Sequence, residues 1–425
     1  MKKLLSLLVA AVLLPVAANA DVLTNVNLKG EIQTIASDAT HNAVGVYNND
    51  VSARVLAGLS FDLVEDVTAN LMFQYANIWG GDDATGRSVQ NYADTVRVVE
   101  ANVVLHNLFC CLEATVGRQF YGDEDSAVMY IGPNHYNAEF NGLTNSVDAA
   151  KITYGDDVKS FTVIAGKVNA TMGGAATAWA AIPPVPAAPF ASWTVFGADF
   201  RVNLTDELTA QVYGYDMHDD DGVVFAKKHT GVYGAKLSLN TPVRLSAEYA
   251  RNFAGDRLVK EPKDTGEMVK VDVATDLEKV TVRGAFYYAN ENFLAWGNYT
   301  PGLLIGHRLA GNIYDYSNNG VALFNLGFDM KPADKWTVSL DGYSFQDKEM
   351  KHSSTWEADL TAKYAHNDYV VTCRLWASSC SHSVQACMLM VTARITFTII
   401  HCCRSVSDAC VSMHLARTAA RPISR

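Results

Sequence analysis

The chain of 425 residues carries a formal net charge of -11 with a pI near 5.4, and 49% of its residues are hydrophobic. An acidic balance of this size argues against nucleic acid as a partner. Beyond residue 20 there is no run of about 18 apolar residues, so no transmembrane helix is expected and any membrane crossing falls to strands.

Met1–Ala20 begins with Lys2 and Lys3, continues through the apolar run Leu4–Val16 and ends in Ala18-Asn19-Ala20. A charged start, a core too short to span a bilayer and an A-x-A cleavage signal read as a secretory signal peptide. The mature chain is expected to start at Asp21, and because that residue is not cysteine no lipid anchor is expected there.

From Val51 to Leu63 apolar and polar or small residues alternate without a break. The rhythm recurs at Val67–Tyr75, Thr194–Leu204, Gly231–Leu239, Val243–Tyr249, Val280–Tyr288 and Trp356–Tyr364. Segments of this length with a two-step period suit strands that have hydrocarbon on one side and water on the other. The fold class expected is therefore all-β, a transmembrane antiparallel β-barrel within residues 21–371. Sixteen strands are readable from Val26 to Tyr364, and Tyr369-Val370-Val371 begins another. An even count with both ends in the periplasm makes about 18 the natural design, and 16 holds if the first and sixteenth strands pair directly. Connections alternate between short turns such as Val64–Asp66 and Asp276–Glu278 and long polar stretches such as Phe120–Ser146 and Asn290–Asn319. Tight periplasmic turns and extended outer loops produce that pattern, which sets the orientation. The loop Asn169–Ser192 stands apart through its alanine and proline content, and its prolines bar it from a ladder.

With the apolar face given to lipid, the alternate positions line a polar lumen. The basic candidates are Lys29, Arg54, Arg201, Lys236, Arg244, Lys270, Arg283 and Lys363. The acidic candidates are Glu31, Asp62, Glu100, Glu113, Asp199, Glu248, Asp272, Asp329, Glu357 and Asp359. The two sets nearly balance, so strong charge selectivity would need a local ring. The alternative for any one of them is a cross-strand pair that stiffens the wall.

The third outer connection, which with the end of its leading strand runs from Gly117 to Phe140, is long enough to fold inward and narrow a pore. Arg118 is expected to hold that loop or to line the channel and meet an anionic solute with its planar fork. Gly117-Arg118-Gln119 followed by Tyr121-Gly122-Asp123 resembles the G-R-Q-x-x-Y-G-D-type signature of the alginate-export family of outer-membrane porins, with one residue fewer between Gln and Tyr. The resemblance implies an eighteen-stranded channel for an anionic polysaccharide, and porins in general are often homotrimers. The barrel and the passage of solute are what is carried over to this chain.

Asp123-Glu124-Asp125 and His218-Asp219-Asp220-Asp221-Gly222 are acidic clusters on outer loops, read as solvated charge because their spacing completes no calcium loop. His135, His229 and His307 fall in outer connections, and no motif ties them to an activated serine. Neither a cofactor nor enzyme activity is expected. The function expected is an outer-membrane porin for small hydrophilic solutes, anionic saccharides among them, in contact with outer-membrane lipid. A plugged structural or adhesive barrel is the first alternative and a barrel lipase the second.

Six of the eight cysteines, Cys373, Cys380, Cys387, Cys402, Cys403 and Cys410, crowd the end of the chain. From Cys373 onward Gly, Lys, Tyr and Asn vanish and Asp408 is the one acidic residue. A disulfide-bonded or metal-binding tail is one reading. The preferred reading is that residues 372–425 come from a shifted frame. It predicts that a neighbouring frame of the gene encodes two more alternating strands ending in an aromatic residue, which sequencing the 3′ region checks.

Overall fold

A strand in hydrocarbon must have both edges paired, because each orphaned backbone N–H or C=O there costs several kcal/mol. The computed structural model shows how this chain meets that demand. It describes residues 24–39, 51–79, 96–109, 111–133, 144, 146–156, 158–171, 190–219, 229–255, 265–290, 293, 295, 297, 299, 320–346, 355–367, 370–379 and 384–399. The leader, residues 172–189 of the alanine- and proline-rich loop, His135, Asp220, Asp221, Gly222, His307, Cys402, Cys403 and Cys410 lie outside the described residues.

In chain order the strands are β1 (Thr24–Ala39), β2 (Val51–Val64), β3 (Val67–Trp79), β4 (Arg97–Leu108), β5 (Leu112–Gln119), the short β6 (Tyr121–Gly122) and β7 (Tyr130–Ile131), and β8 (Val147–Gly155). Next come β9 (Lys159–Thr171), β10 (Phe190–Asn203), β11 (Leu208–Asp219), β12 (His229–Asn240), β13 (Val243–Gly255) and β14 (Glu267–Leu277). The last are β15 (Val280–Ala289), β16 (Val321–Ala333), β17 (Trp336–Gln346), β18 (Thr355–Asn367), β19 (Val370–Ser379) and β20 (Val384–Ile399). All but β6 and β7 form one antiparallel sheet of 18 strands, in which β1 pairs with β2 on one side and with β20 on the other. The sheet is a closed barrel, as the alternation demands.

The alternation places side chains as expected. On β16, Phe324, Leu326 and Met330 point outward at 42%, 55% and 43% exposure, while Leu323 is fully buried inside. Asn325 and Asp329 on the inner face meet side chains of β15 and β17. The turns are tight: Asp66 and Glu278 sit at φ 63° and 50° between β2 and β3 and between β14 and β15, and such left-handed positions let short hairpins match strand twist. In the turn after β8, the amides of Lys159 and Val158 donate to Asp156 at 2.9 Å each and hold its carboxyl below the ordinary value.

The sheet extends past residue 372, where the sequence reading ended the barrel. β19 pairs with β18, and β20 joins β19 to β1. The direct pairing of the first and sixteenth readable strands is not what is seen. Without two more strands, β18 and β1 would face lipid with open edges. Within β20 the run Val391–Ile399 reads V-T-A-R-I-T-F-T-I, an unbroken two-step pattern, and Arg394 stands opposite Glu31 in the register. β19 has no such rhythm.

The inside-out assignment is testable at two adjacent positions. Leu326→Arg places charge on the outer face and is expected to cost about 2–4 kcal/mol if it lies near mid-membrane. Asn325→Arg, on the inner face, is expected to cost much less. Urea unfolding of both variants in lipid vesicles reads the difference.

Candidate functional site

Chain direction inside the barrel is set at the end of β5. Gly117 has φ 122°, a conformation that side chains resist, and a Cβ there would strike the carbonyl of Ala101. Two residues on, the buried amide of Gln119 donates to the carbonyls of Thr115, Gly117 and Ala149 at 3.1–3.3 Å. Asn102 also donates to the Arg118 carbonyl at 2.9 Å. Gly122 at φ 88° completes the turn, and β6 and β7 pair within the loop. The loop then runs inward.

Its apolar residues dock on the inner wall. Val128, Met129 and Ile131 are only 1–2% exposed and belong to one buried cluster with Ile164, Val195, Met217, Val232 and Met268 of β9 to β14. The core of this protein is thus inside the barrel, between loop and wall. Full burial of three such side chains contributes roughly 1.5–3 kcal/mol each, while exposed ion pairs contribute about 0–1. Apolar docking holds the loop, and charge sets its position.

The acidic triplet of the loop reaches three walls. Asp123 meets Arg201 of β10 at 3.4 Å. Glu124 acts electrostatically on Arg54 of β2, which is fully buried beside Glu31 at 3.4 Å. The Asp125 carbonyl accepts from Lys270 of β14 at 3.5 Å. The triplet remains exposed at Asp123 and Asp125, and Asp125 takes part through its backbone carbonyl, so solvated charge here also reaches across the lumen. Tyr130 donates to the Pro133 carbonyl at 2.7 Å, and burial pushes its hydroxyl well above the ordinary value, so it stays neutral. A second inward segment meets the first. Tyr299 lies under the Lys270 ammonium, 4.3 Å from ring centroid to Nζ, and packs on Tyr287, while Gly297 lies so close to Ser126 and Ala127 that a Cβ would not fit.

Below the loop, on the periplasmic side, lies a recess of about 410 Å³. Tyr121, Tyr213 and Tyr215 form its roof, with the Tyr121 and Tyr215 hydroxyls 3.4 Å apart. Its carboxylates are served by neutral donors: Tyr213 donates to Glu248 at 2.5 Å and the Gln211 amide to Asp199. Its cations are Lys151, Arg201 and Lys236. Lys151 and Lys236 have no hydrogen-bond or ion-pair partner among the described residues, and Arg201 has only the long contact to Asp123.

The remaining expected lining residues sort by partner. Lys29 is exposed on the inner face of β1 and lies in the field of Glu100. Arg244 chelates Asp276 at 2.9 and 3.2 Å. Asp272 holds Lys270 at 3.4 Å. Arg283 binds Asp329 at 2.7 and 2.9 Å and Asp341 at 3.0 Å. Glu357 and Asp359 are nearly fully buried on β18, opposite Tyr343 and Asp341.

Arg118 departs from its expected role. In the register it shares a face with Ala101 and Asp148, the outward face that also carries Val116 and Ile152. There it grips Asp148 at 2.7 and 2.8 Å and donates to the Val98 carbonyl at 3.0 Å. The strand alternation continues through Gly117, so this side chain turns away from the channel. Lys151 carries the opposite lesson: it lines the recess, and its alternation partner Thr153 placed it inward all along.

The fold defines the architecture, a closed antiparallel barrel of 18 strands. The chain is similar to Pseudomonas aeruginosa OccK3 (OpdO), with a TM-score of 0.60 at 10% identity over 89% of this chain and 98% of that one. It is likewise similar to Acinetobacter baumannii OccAB4, TM-score 0.59 at 12% identity over 88% and 99%, and to Pseudomonas aeruginosa OccK8 (OprE), 0.59 at 11% over 88% and 98%. No family model matches the chain, and no curated protein matches it.

If apolar docking holds the loop, Ile131→Asn should release it while the barrel persists. Single-channel conductance is expected to rise about two-fold or more, and the heat-modifiable folded band should remain, because the strands keep their own pairing.

Proposed function

We propose that this protein is a bacterial outer-membrane channel through which small hydrophilic solutes diffuse, with a preference for anionic ones, saccharides among them. One observation carries the preference: on the wall of the recess beneath the inward loop the Lys151 and Lys236 ammonium groups make no hydrogen bond or ion pair among the described residues and keep their donors open to a solute, while Asp199 and Glu248 already accept from Gln211 and Tyr213. A solute anion here displaces only water, with no protein ion pair to break. Likeness to the Occ barrels supports a channel, and the closed sheet and polar inner wall support outer-membrane lipid as its surroundings.

We also infer that residues 372–425 come from a displaced reading frame, which the change of composition at Cys373 supports.

Planar-bilayer recording of the refolded protein tests the function. Ion current is expected, with a reversal potential in a salt gradient that favours anions. Lys151→Gln with Lys236→Gln is expected to reduce the anion-to-cation permeability ratio about three-fold or more, since these lining ammonium groups, held by no bond among the described residues, act directly on selectivity. A refolded barrel that passes no current would point to the plugged alternative.

A further inference from the structure

At the periplasmic end of the inner wall, beside the recess, β2 to β5 bring four polar side chains into one chain of contacts. The Thr68 hydroxyl lies 2.8 Å from Asp62 Oδ1 and 3.1 Å from His106 Nε2. The other ring nitrogen, Nδ1, lies 3.2 Å from Glu113 Oε2. Asn25 of β1 donates to the second Asp62 oxygen at 2.6 Å. The turn before β3 adds Asp66, whose carbonyl accepts from the His106 amide at 2.8 Å and whose carboxylate accepts from Asn107 at 2.7 Å.

Hydroxyl, imidazole and carboxylate in this order resemble a nucleophilic triad, but the hydrogens do not permit it. A carboxylate only accepts, so the Thr68 hydrogen goes to Asp62. The Thr68 oxygen can then only accept from His106, which places a hydrogen on Nε2. The short contact between Nδ1 and a Glu113 oxygen also needs a hydrogen, whether it sits on the ring or on the carboxyl. Every contact is satisfied only when the pair His106 and Glu113 holds one proton more than a neutral imidazole beside an ionised carboxylate, and such a proton belongs to the pair.

We propose that Thr68, His106, Glu113 and Asp62 form a proton-binding site that sets the charge of the periplasmic mouth and makes selectivity there depend on pH. The charged groups facing the pair are Asp62 from β2, Asp66 from the β2–β3 turn and, diagonally across from Glu113, Lys151 from β8. The site rests on the channel reading only for its consequence. With the proton bound the mouth is less negative and admits anions more readily; without it the mouth favours cations.

Two measurements on the refolded protein test the site. Reversal potentials are recorded at about pH 5 and about pH 8, which bracket the range where imidazole changes charge. The anion-to-cation permeability ratio is expected to fall about two-fold or more toward the higher pH, and His106→Asn is expected to remove most of that change. A ratio that does not move with pH, or moves equally in the variant, overturns the proposal. Nitrogen-15 NMR of histidine-labelled protein in detergent, with His106→Asn to assign the signal, reads the ring without any current. A signal for which neither ring nitrogen responds to pH across this range, and which matches a free neutral ring at its lower end, overturns it as well. Loss of current at both pH values with an intact NMR response would sink the channel reading and leave the proton site standing.

Discussion

The demand that governs this molecule is that no backbone polar group may face hydrocarbon unpaired. It explains the closed sheet, the two-step alternation and the tight turns, and it explains why the cysteine-rich stretch is drawn into the barrel. β18 and β1 need partners, and β19 and β20 supply them. A requirement of the backbone thus outweighs a side-chain composition that looks foreign to the rest of the chain.

Inside the cylinder a second economy operates. A wall lined only by charge would be solvated and wide; here the outer half of the inner face on β9 to β14 is apolar, and the inward loop seats Val128, Met129 and Ile131 on it. Hydrophobic burial secures the loop, and the contacts of Asp123, Glu124 and Asp125 with Arg201, Arg54 and Lys270 position it. Arg54 and Lys270 are buried there, whereas Arg201 stays half-exposed in the recess. What remains free for solute is the pair of lysines below, because tyrosine and glutamine have taken the carboxylates.

Much of this was legible in the chain. Inner-face parity is correct for Arg54, Asp199, Arg201, Lys236, Glu248 and Arg283, since each lies on a strand whose alternation is clean. Arg118 departs from its expected role because the alternation it shares with Val116 on the strand ending at Gln119 turns it outward, whatever the loop that follows does. The apolar inner seat was missed for a different reason. Ile164, Met217 and Met268 are apolar on the face expected to be wet, and that local failure of alternation, next to apolar outward neighbours, was the available signal. Asp62 and Thr68 face each other across one hairpin, but His106 lies 38 residues beyond Thr68 and shares no motif with them, so only pairing of β3 with β4 brings it in.

The sequence by itself determined that the chain makes strands, which face of each meets lipid, and how turns and loops divide between the two ends. Those properties are local, since they depend on residues one or two positions apart. Where the third loop lands, which charges neutralise one another and which stay open to solute were decided only by the tertiary structure. Those outcomes depend on distances across the lumen, between residues that closure of the sheet brings face to face and that no local period encodes.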